Sequence, residues 1–253
     1  MAALTPDIIA QLGPIPITNT LVNTALVDTV IIAGVIAINK NIKKIPGILQ
    51  NLFEIVVDWL YTITESVAGE NTAKIFPYFF IFFIFILVAN WSGLLPGSES
   101  IGFLHTTSGG TDIVSLNRNL TSDLNATFGL ALVSLIATHM LSIQRLGIKE
   151  YLSRFFSLNP ILLFVGLLEI VSEITKVISL SFRLFGNIFA GEVVLGTISK
   201  LFAFGFPVPF MFLEIIVGLV QALVFSMLTM AFMSVLMTPH HEENHVAKEV
   251  SSS

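Results

Sequence analysis

The chain is 253 residues long, 54% hydrophobic and only 11% charged, with a mean hydropathy of +0.87 and a formal net charge of −5. Soluble domains carry roughly a quarter charged residues, so a water-soluble fold of this length lacks the charge to cover its surface, and a bilayer removes that need. The acidic balance, with no basic run, argues against a nucleic-acid partner, and the lack of cysteine excludes disulfides, thiolate metal sites and thiol chemistry together.

The first twenty residues hold no Lys or Arg, so no cationic signal-peptide region precedes the first apolar segment, which is expected to remain as a span. A spanning helix needs about 20 mostly apolar residues to cross roughly 30 Å of hydrocarbon. Leu21–Ile38 meets that need. Gly47–Val67 differs: Gln50, Asn51, Glu54, Asp58, Thr62 and Glu65 recur at three- and four-residue spacing among apolar residues. That pattern predicts an amphipathic helix lying at the interface. Ile75–Leu95 and Ala126–Ile143 read as the second and third spans, Ile161–Leu201 as a long fourth, and Phe206–Met237 as the last. Gly205, Pro207 and Pro209 break the helix between the last two.

The predicted fold is one all-α integral membrane domain: five membrane-embedded helices plus one interfacial amphipathic helix. The last two embedded helices form a long oblique hairpin. A helix over Ile161–Leu201 would be about 60 Å long, and ordinary tilts reach only about 40°, so it must be interrupted or lie very obliquely. Lys40, Lys43, Lys44 and Lys74 flank the amphipathic helix, and Arg145, Lys149 and Arg154 fill the next loop on that side. The opposite loop, Gly97–Ser122, has Arg118 alone. The positive-inside rule therefore puts the N-terminus outside and the C-terminus inside.

Ionisable residues within a membrane helix cost at least ~2.5–3.5 kcal/mol each on insertion scales and default to functional readings. Apart from Lys200 at the very end of the fourth, the last two segments hold six: Glu169, Glu173, Lys176, Arg183, Glu192 and Glu214. Glu169, Lys176 and Arg183 follow a seven-residue spacing, which keeps them within about 20° per step of one helix face. Asn187 follows Arg183 by four and shares that face; Glu214 and Gln221 are again seven apart. Folding the segments about a turn near 202–203 brings Arg183 level with Gln221 and Glu192 level with Glu214. The carboxylate pair then lies about 13 Å from the arginine, nearer the turn, in the outer half, with Glu169 and Glu173 in the inner half. Carboxylates bind and release protons, whereas arginine does not deprotonate in a protein. Arg183 thus reads as a fixed positive plug between two hydrated half-paths, past which a partner's mobile carboxylate can be drawn. The competing bland readings are a structural ion pair between Arg183 and Glu169 or Glu173, a Glu192–Glu214 pair that merely ties the hairpin, and salt bridges from Glu169 and Glu173 to Lys176. His139 reads as a packing residue, and His240, His241 and His245 as a solvated tail rather than a metal site.

The run Ser179-Leu180-Ser181-Phe182-Arg183-Leu184-Phe185-Gly186-Asn187-Ile188-Phe189-Ala190-Gly191-Glu192 is similar to the signature of the a-subunit family of F-type ATP synthases. Asn90-Trp91-Ser92-Gly93-Leu94-Leu95-Pro96, Asp123-Leu124-Asn125 and Gln221-Ala222-Leu223-Val224-Phe225 resemble the same family, and its Gly-Asn and Ala-Gly-Glu wording looks bacterial or plastid. The resemblance covers nearly the whole chain. It implies a stator subunit of the membrane sector, with no catalytic site of its own and no cofactor. The implied partners are the c-subunit rotor ring, the peripheral-stalk b subunits, other ATP synthase subunits and membrane lipid. The implied place is the bacterial plasma membrane, or alternatively the plastid thylakoid. Arg183 would be the essential arginine facing the c-ring carboxylate. Glu192, Glu214, Asn90 and Asp123 would line the half-channel open to the outside. Glu169, with Ser179 and Lys176 near, would fall on the inner path, and Gln221 and Asn187 would flank the arginine. Glu214 stands where some bacterial relatives have histidine, and Glu173 has no family role. The rival reading is a self-contained secondary cation transporter with Arg183, Glu192 and Glu214 as its site, though no paired repeat of the kind such folds carry is evident.

Overall fold

The structure is a computed structural model that describes residues 6, 8–12, 15–43, 46–95, 102–107, 110–115, 118–155, 160–201 and 205–238. Lys44, Pro96, His240, His241 and His245 lie outside them. The helices start and stop where local chemistry allows. Thr18 accepts a hydrogen bond from the Leu21 amide, satisfying one of the orphan donors of a helix start, and α1 runs Asn19–Asn41 with Lys40 in its last turn. The second helix, α2 (Ile48–Ala68), ends at Gly69, whose φ of 52° is open to glycine at no steric cost. A single 3₁₀ turn, Gly69–Asn71, leads into α3 (Thr72–Ser92). Asp123 caps α4 (Leu124–Leu146) by accepting from the Asn125 amide at 2.9 Å. After α5 (Ile148–Phe155) come the two longest helices, α6 (Pro160–Leu201) and α7 (Pro207–Met237).

Four stretches of the described residues are long and apolar enough to cross a bilayer: Asn19–Lys40, Gln50–Ser92 through α2 and α3, Leu124–Leu146 and Pro207–Met237. Large apolar side chains cover the outer faces, among them Val30 and Val35 on α1, Ile136 and Met140 on α4, and Phe212 and Ile216 on α7. An exposed apolar coat of that extent marks contact with lipid, and the chain is an all-α integral membrane protein. The fourth segment is not interrupted: α6 is one helix of 42 residues. It is about 63 Å long at 1.5 Å per residue, so it cannot stand upright within roughly 30 Å of hydrocarbon.

Three details differ from the sequence reading. The segment holding Lys149 and Arg154, expected as loop, contains α5; an eight-residue helix between Gly147 and the next break is too short to show a period. The loop from Gly97 to Ser122 carries an antiparallel hairpin, β3 (Gly102–Thr107) with β4 (Gly110–Ser115). A second hairpin, β1 (Ile8–Leu12) with β2 (Ile15–Thr18), precedes α1.

The buried core sits where α7 packs against α3, α4 and α6. Phe79 and Ile86 of α3, Leu184 of α6, and Phe225, Met230 and Met233 of α7 are fully enclosed, and the Phe82 and Phe225 rings meet at 5.8 Å. The α2 helix docks on α3 through Phe53–Phe80 and Tyr61–Phe76 ring contacts at 6.2 and 5.1 Å. This core holds the register of the polar residues on α6 and α7.

Candidate functional site

Three contacts set the antiparallel register of α6 on α7. A Cβ on Gly191 would occupy the space of the Glu214 carboxyl group, so only glycine lets Glu214 lie against the α6 backbone beside Glu192. Asn187 Nδ2 donates to Gln221 Oε1 at 2.6 Å. Lys176 Nζ sits 4.7 Å above the centre of the Phe232 ring, a cation–π arrangement. The expected level of Glu192 with Glu214 agrees with the first contact. Arg183 is expected level with Gln221, and the hydrogen-bond partner of Gln221 is Asn187, one turn nearer the hairpin connection.

Arg183, Ser179 and Lys176 of α6 line an open groove of about 440 Å³, closed on one side by Leu228 and Phe232 of α7. Arg183 is exposed, and Nη2 donates to Ser179 Oγ at 3.2 Å. Among the described residues no carboxylate pairs with it. Ser172, Thr175, Ser179, Arg183, Asn187 and Ala190 are all exposed along this side of α6, a small and polar stripe on an otherwise apolar helix. The ion pair forms elsewhere. Lys176 Nζ lies 2.8 Å from Glu173 Oε1, and Glu173 Oε2 lies 3.9 Å from His139 Nε2 on α4. His139 Nδ1 in turn meets the Tyr151 hydroxyl of α5 at 2.9 Å. Glu169, one turn earlier on α6, is half-buried.

Toward the hairpin connection the polar groups turn inward. Glu214 is 9% exposed, and its Oε1 has no hydrogen-bond partner among the described residues; the same holds for Nε2 of buried Gln221. Buried polar atoms are nearly always bonded, so two orphans on one face of α7 mark a place suited to a further polar group. Glu192 is half-buried. Asn90 at the end of α3 donates to the Gly218 carbonyl at 2.8 Å, one turn from Glu214, and accepts from Thr121 Oγ1 at 2.7 Å. A Cβ on Gly218 would come within 3.1 Å of Asn90 Cβ, so the two helices approach tightly at this crossing. Asp123 caps α4 and accepts from Thr20 Oγ1 of α1 at 3.2 Å.

Sequence reasoning missed the supporting residues. Thr20, Asn119 and Thr121 are buried in this network, but neutral hydroxyls and amides outside a helical period give no signal before helix packing is known. Gly191 stood inside the quoted signature, yet its role depends on Glu214, 23 positions away. Glu173 was recognised as an additional acid; its tie to His139 and Tyr151 crosses three helices.

A helical membrane protein with an exposed arginine on a polar stripe and buried carboxylates beside it belongs to the class that moves ions. The match to known proteins is specific. Residues 21–234 match the ATP synthase A chain family. The chain is 31% identical over 234 residues to ATP synthase subunit a of Moorella thermoacetica, covering 92% of this chain and 97% of that relative. The chain therefore belongs to the ATP synthase A chain family, whose place is the membrane sector of the F-type ATP synthase.

Proposed function

We propose that this chain is the fixed ion-channel subunit of that sector. It offers two offset half-channels that load and unload protons, or sodium ions, on the carboxylates of a rotating c-subunit ring. The observation that carries the reading is Arg183: a cation on an exposed polar stripe, held by a hydroxyl rather than by a carboxylate. An intramembrane charge that has no counter-ion among the described residues is costly, and a carboxylate supplied by a neighbouring subunit removes that cost. Because the guanidinium keeps its proton, it attracts a deprotonated ring carboxylate without passing a proton on. The two half-channels stay separate for that reason.

In this reading Glu192 and Glu214, with Asn90 behind Glu214, line the outer half-channel; the partnerless Glu214 Oε1 and Gln221 Nε2 supply binding capacity there. Asp123 belongs to the outer wall, where it also ties α1 to α4. Glu169, Lys176 and Ser179 lie along the inner half-channel, and Asn187 bonded to Gln221 fixes the helix pair just outward of the arginine. The chain makes no chemical bond itself. It is read as one membrane domain with five embedded helices and α2 at the interface, N-terminus outside, in a bacterial plasma membrane. Peripheral-stalk b subunits hold it against the torque of the ring.

The test is Arg183→Ala in the complete synthase. ATP synthesis and ATP-driven ion pumping are expected to vanish while the complex still assembles. Normal pumping in that variant would remove the assignment.

A further inference from the structure

We infer that Glu173 is a charge-cancelling positioning residue: it pins and neutralises the Lys176 ammonium, so that the groove offers a passing carboxylate one uncompensated cation, Arg183, instead of two. The inference rests on the reading of the groove given above and deepens it. Lys176 and Arg183 stand seven residues apart on one helix face, about 10 Å along the axis, and both line the groove. Their surroundings are opposite. Arg183 bonds only a serine hydroxyl among the described residues, whereas Lys176 is held between a carboxylate at 2.8 Å and the Phe232 ring at 4.7 Å.

Glu173 is no incidental surface partner. It is 7% exposed, and its second oxygen faces His139 of α4, which is braced by Tyr151 of α5. The Tyr151 ring rests edge-on against Phe155 at 5.3 Å. Three helices thus converge to hold one carboxylate beside one lysine. Behind the pair, Ser134 and Thr138 of α4 line a small void with Glu173 and Lys176, whereas the described lining of the groove includes Lys176 and not Glu173. Without Glu173, a bare ammonium two turns inward of Arg183 would attract the same deprotonated carboxylate that Arg183 must release. The partner would then be retained on the inner side, and each passage would slow.

The experiment compares Glu173→Gln, Lys176→Gln and the double variant in the complete synthase, reading ATP-driven pumping per assembled complex in inverted membrane vesicles. The thermal inactivation temperature is recorded alongside. Expected is a loss of about threefold or more from Glu173→Gln when Lys176 is present, shrinking to well under about twofold when Lys176 is already Gln, as for residues sharing one ion-pair network. The inactivation temperature of the assembled complex should not follow that loss. Equal losses in both backgrounds, or none in either, overturn the inference. So does an unchanged rate per complex accompanied by a lower inactivation temperature, which would make the pair a structural tie. If Glu173→Gln does not accumulate, Glu173→Met, which buries no polar group, is read the same way; failure of both to assemble also decides for a structural tie. Arg183→Ala measured in parallel separates the two claims. Normal pumping in Arg183→Ala removes the groove reading itself, whereas its loss together with equal Glu173 effects removes only the role of Glu173.

Discussion

Adding one methyl group at Gly191 tests the α6–α7 contact most directly. The Cβ of alanine would fall on the Glu214 carboxyl group, and both residues sit within well-packed helices, so something must move. Forcing an extra carbon into a filled site costs about 1–3 kcal/mol. The cheapest relief is rotation of the Glu214 side chain, the movable partner. At 1.36 kcal/mol per tenfold, the carboxyl group would occupy its present position roughly five- to 150-fold less often. If Glu214 conducts from that position, pumping in Gly191→Ala should fall by at least about fivefold, with the complex assembled in normal amount. Dye-quench measurement of ATP-driven acidification in inverted vesicles reads this directly. Glu214→Asp supplies the internal control: its carboxyl is drawn back by one methylene, so Gly191→Ala should cost less in that background than in the wild type. Wild-type pumping in assembled Gly191→Ala would show that the carboxyl position beside Gly191 does not matter to conduction.

Four further outcomes rest on the same reading. Glu192→Gln should slow ATP-driven pumping without abolishing it, because Glu214 still offers a titratable oxygen. Neutralising both Glu192 and Glu214 should stop pumping, and an undiminished flux in the double variant would take both out of the path. Asn187→Leu deprives Gln221 Oε1 of its donor; leaving a buried polar atom unsatisfied costs about 1–3 kcal/mol, which should appear as a lower thermal inactivation temperature of the complex. Finally, the purified chain reconstituted alone in liposomes should show no coupled cation flux, whereas a self-contained transporter would.

The apolar segments were legible because a spanning helix needs only length and hydrophobicity, and α1, α3, α4, α6 and α7 each begin or end within a few residues of the expected bounds. The six intramembrane charges were equally plain, since charge in an apolar run has no bland explanation in composition. The choice of partner was not legible. Lys176 had two candidate acids at helical spacing, and its 2.8 Å ion pair is with Glu173, whose carboxylate also faces His139 of α4. The bond between Asn187 and Gln221 was not legible either, because counting residues from a turn sets the level of two helices but not which side chains reach each other across them. Neutral pairs such as Ser134 with Thr229 at 2.8 Å or Asn90 with Gly218 depend on how helices cross, which no local pattern encodes.

The unbroken length of α6 bears on mechanism as much as on fold. Laid obliquely in the bilayer, as proposed, a helix of about 63 Å carries its exposed polar stripe along the membrane as well as through it. On the proposed reading that slant is what a rotor needs. One charge crossing 100 mV yields about 2.3 kcal/mol, so each ATP requires several ions, and several ions require repeated sites moving sideways past one fixed point. An upright helix would meet each site at a single height and then lose it. A slanted stripe keeps polar atoms beside the moving carboxylate before and after it reaches Arg183, while the two carboxylate regions, Glu192 with Glu214 and Glu169 with Glu173, fall at opposite ends of that stripe. On the proposed reading the lateral offset between the half-channels is a consequence of the same slant, which turns a flow across the membrane into a displacement along it.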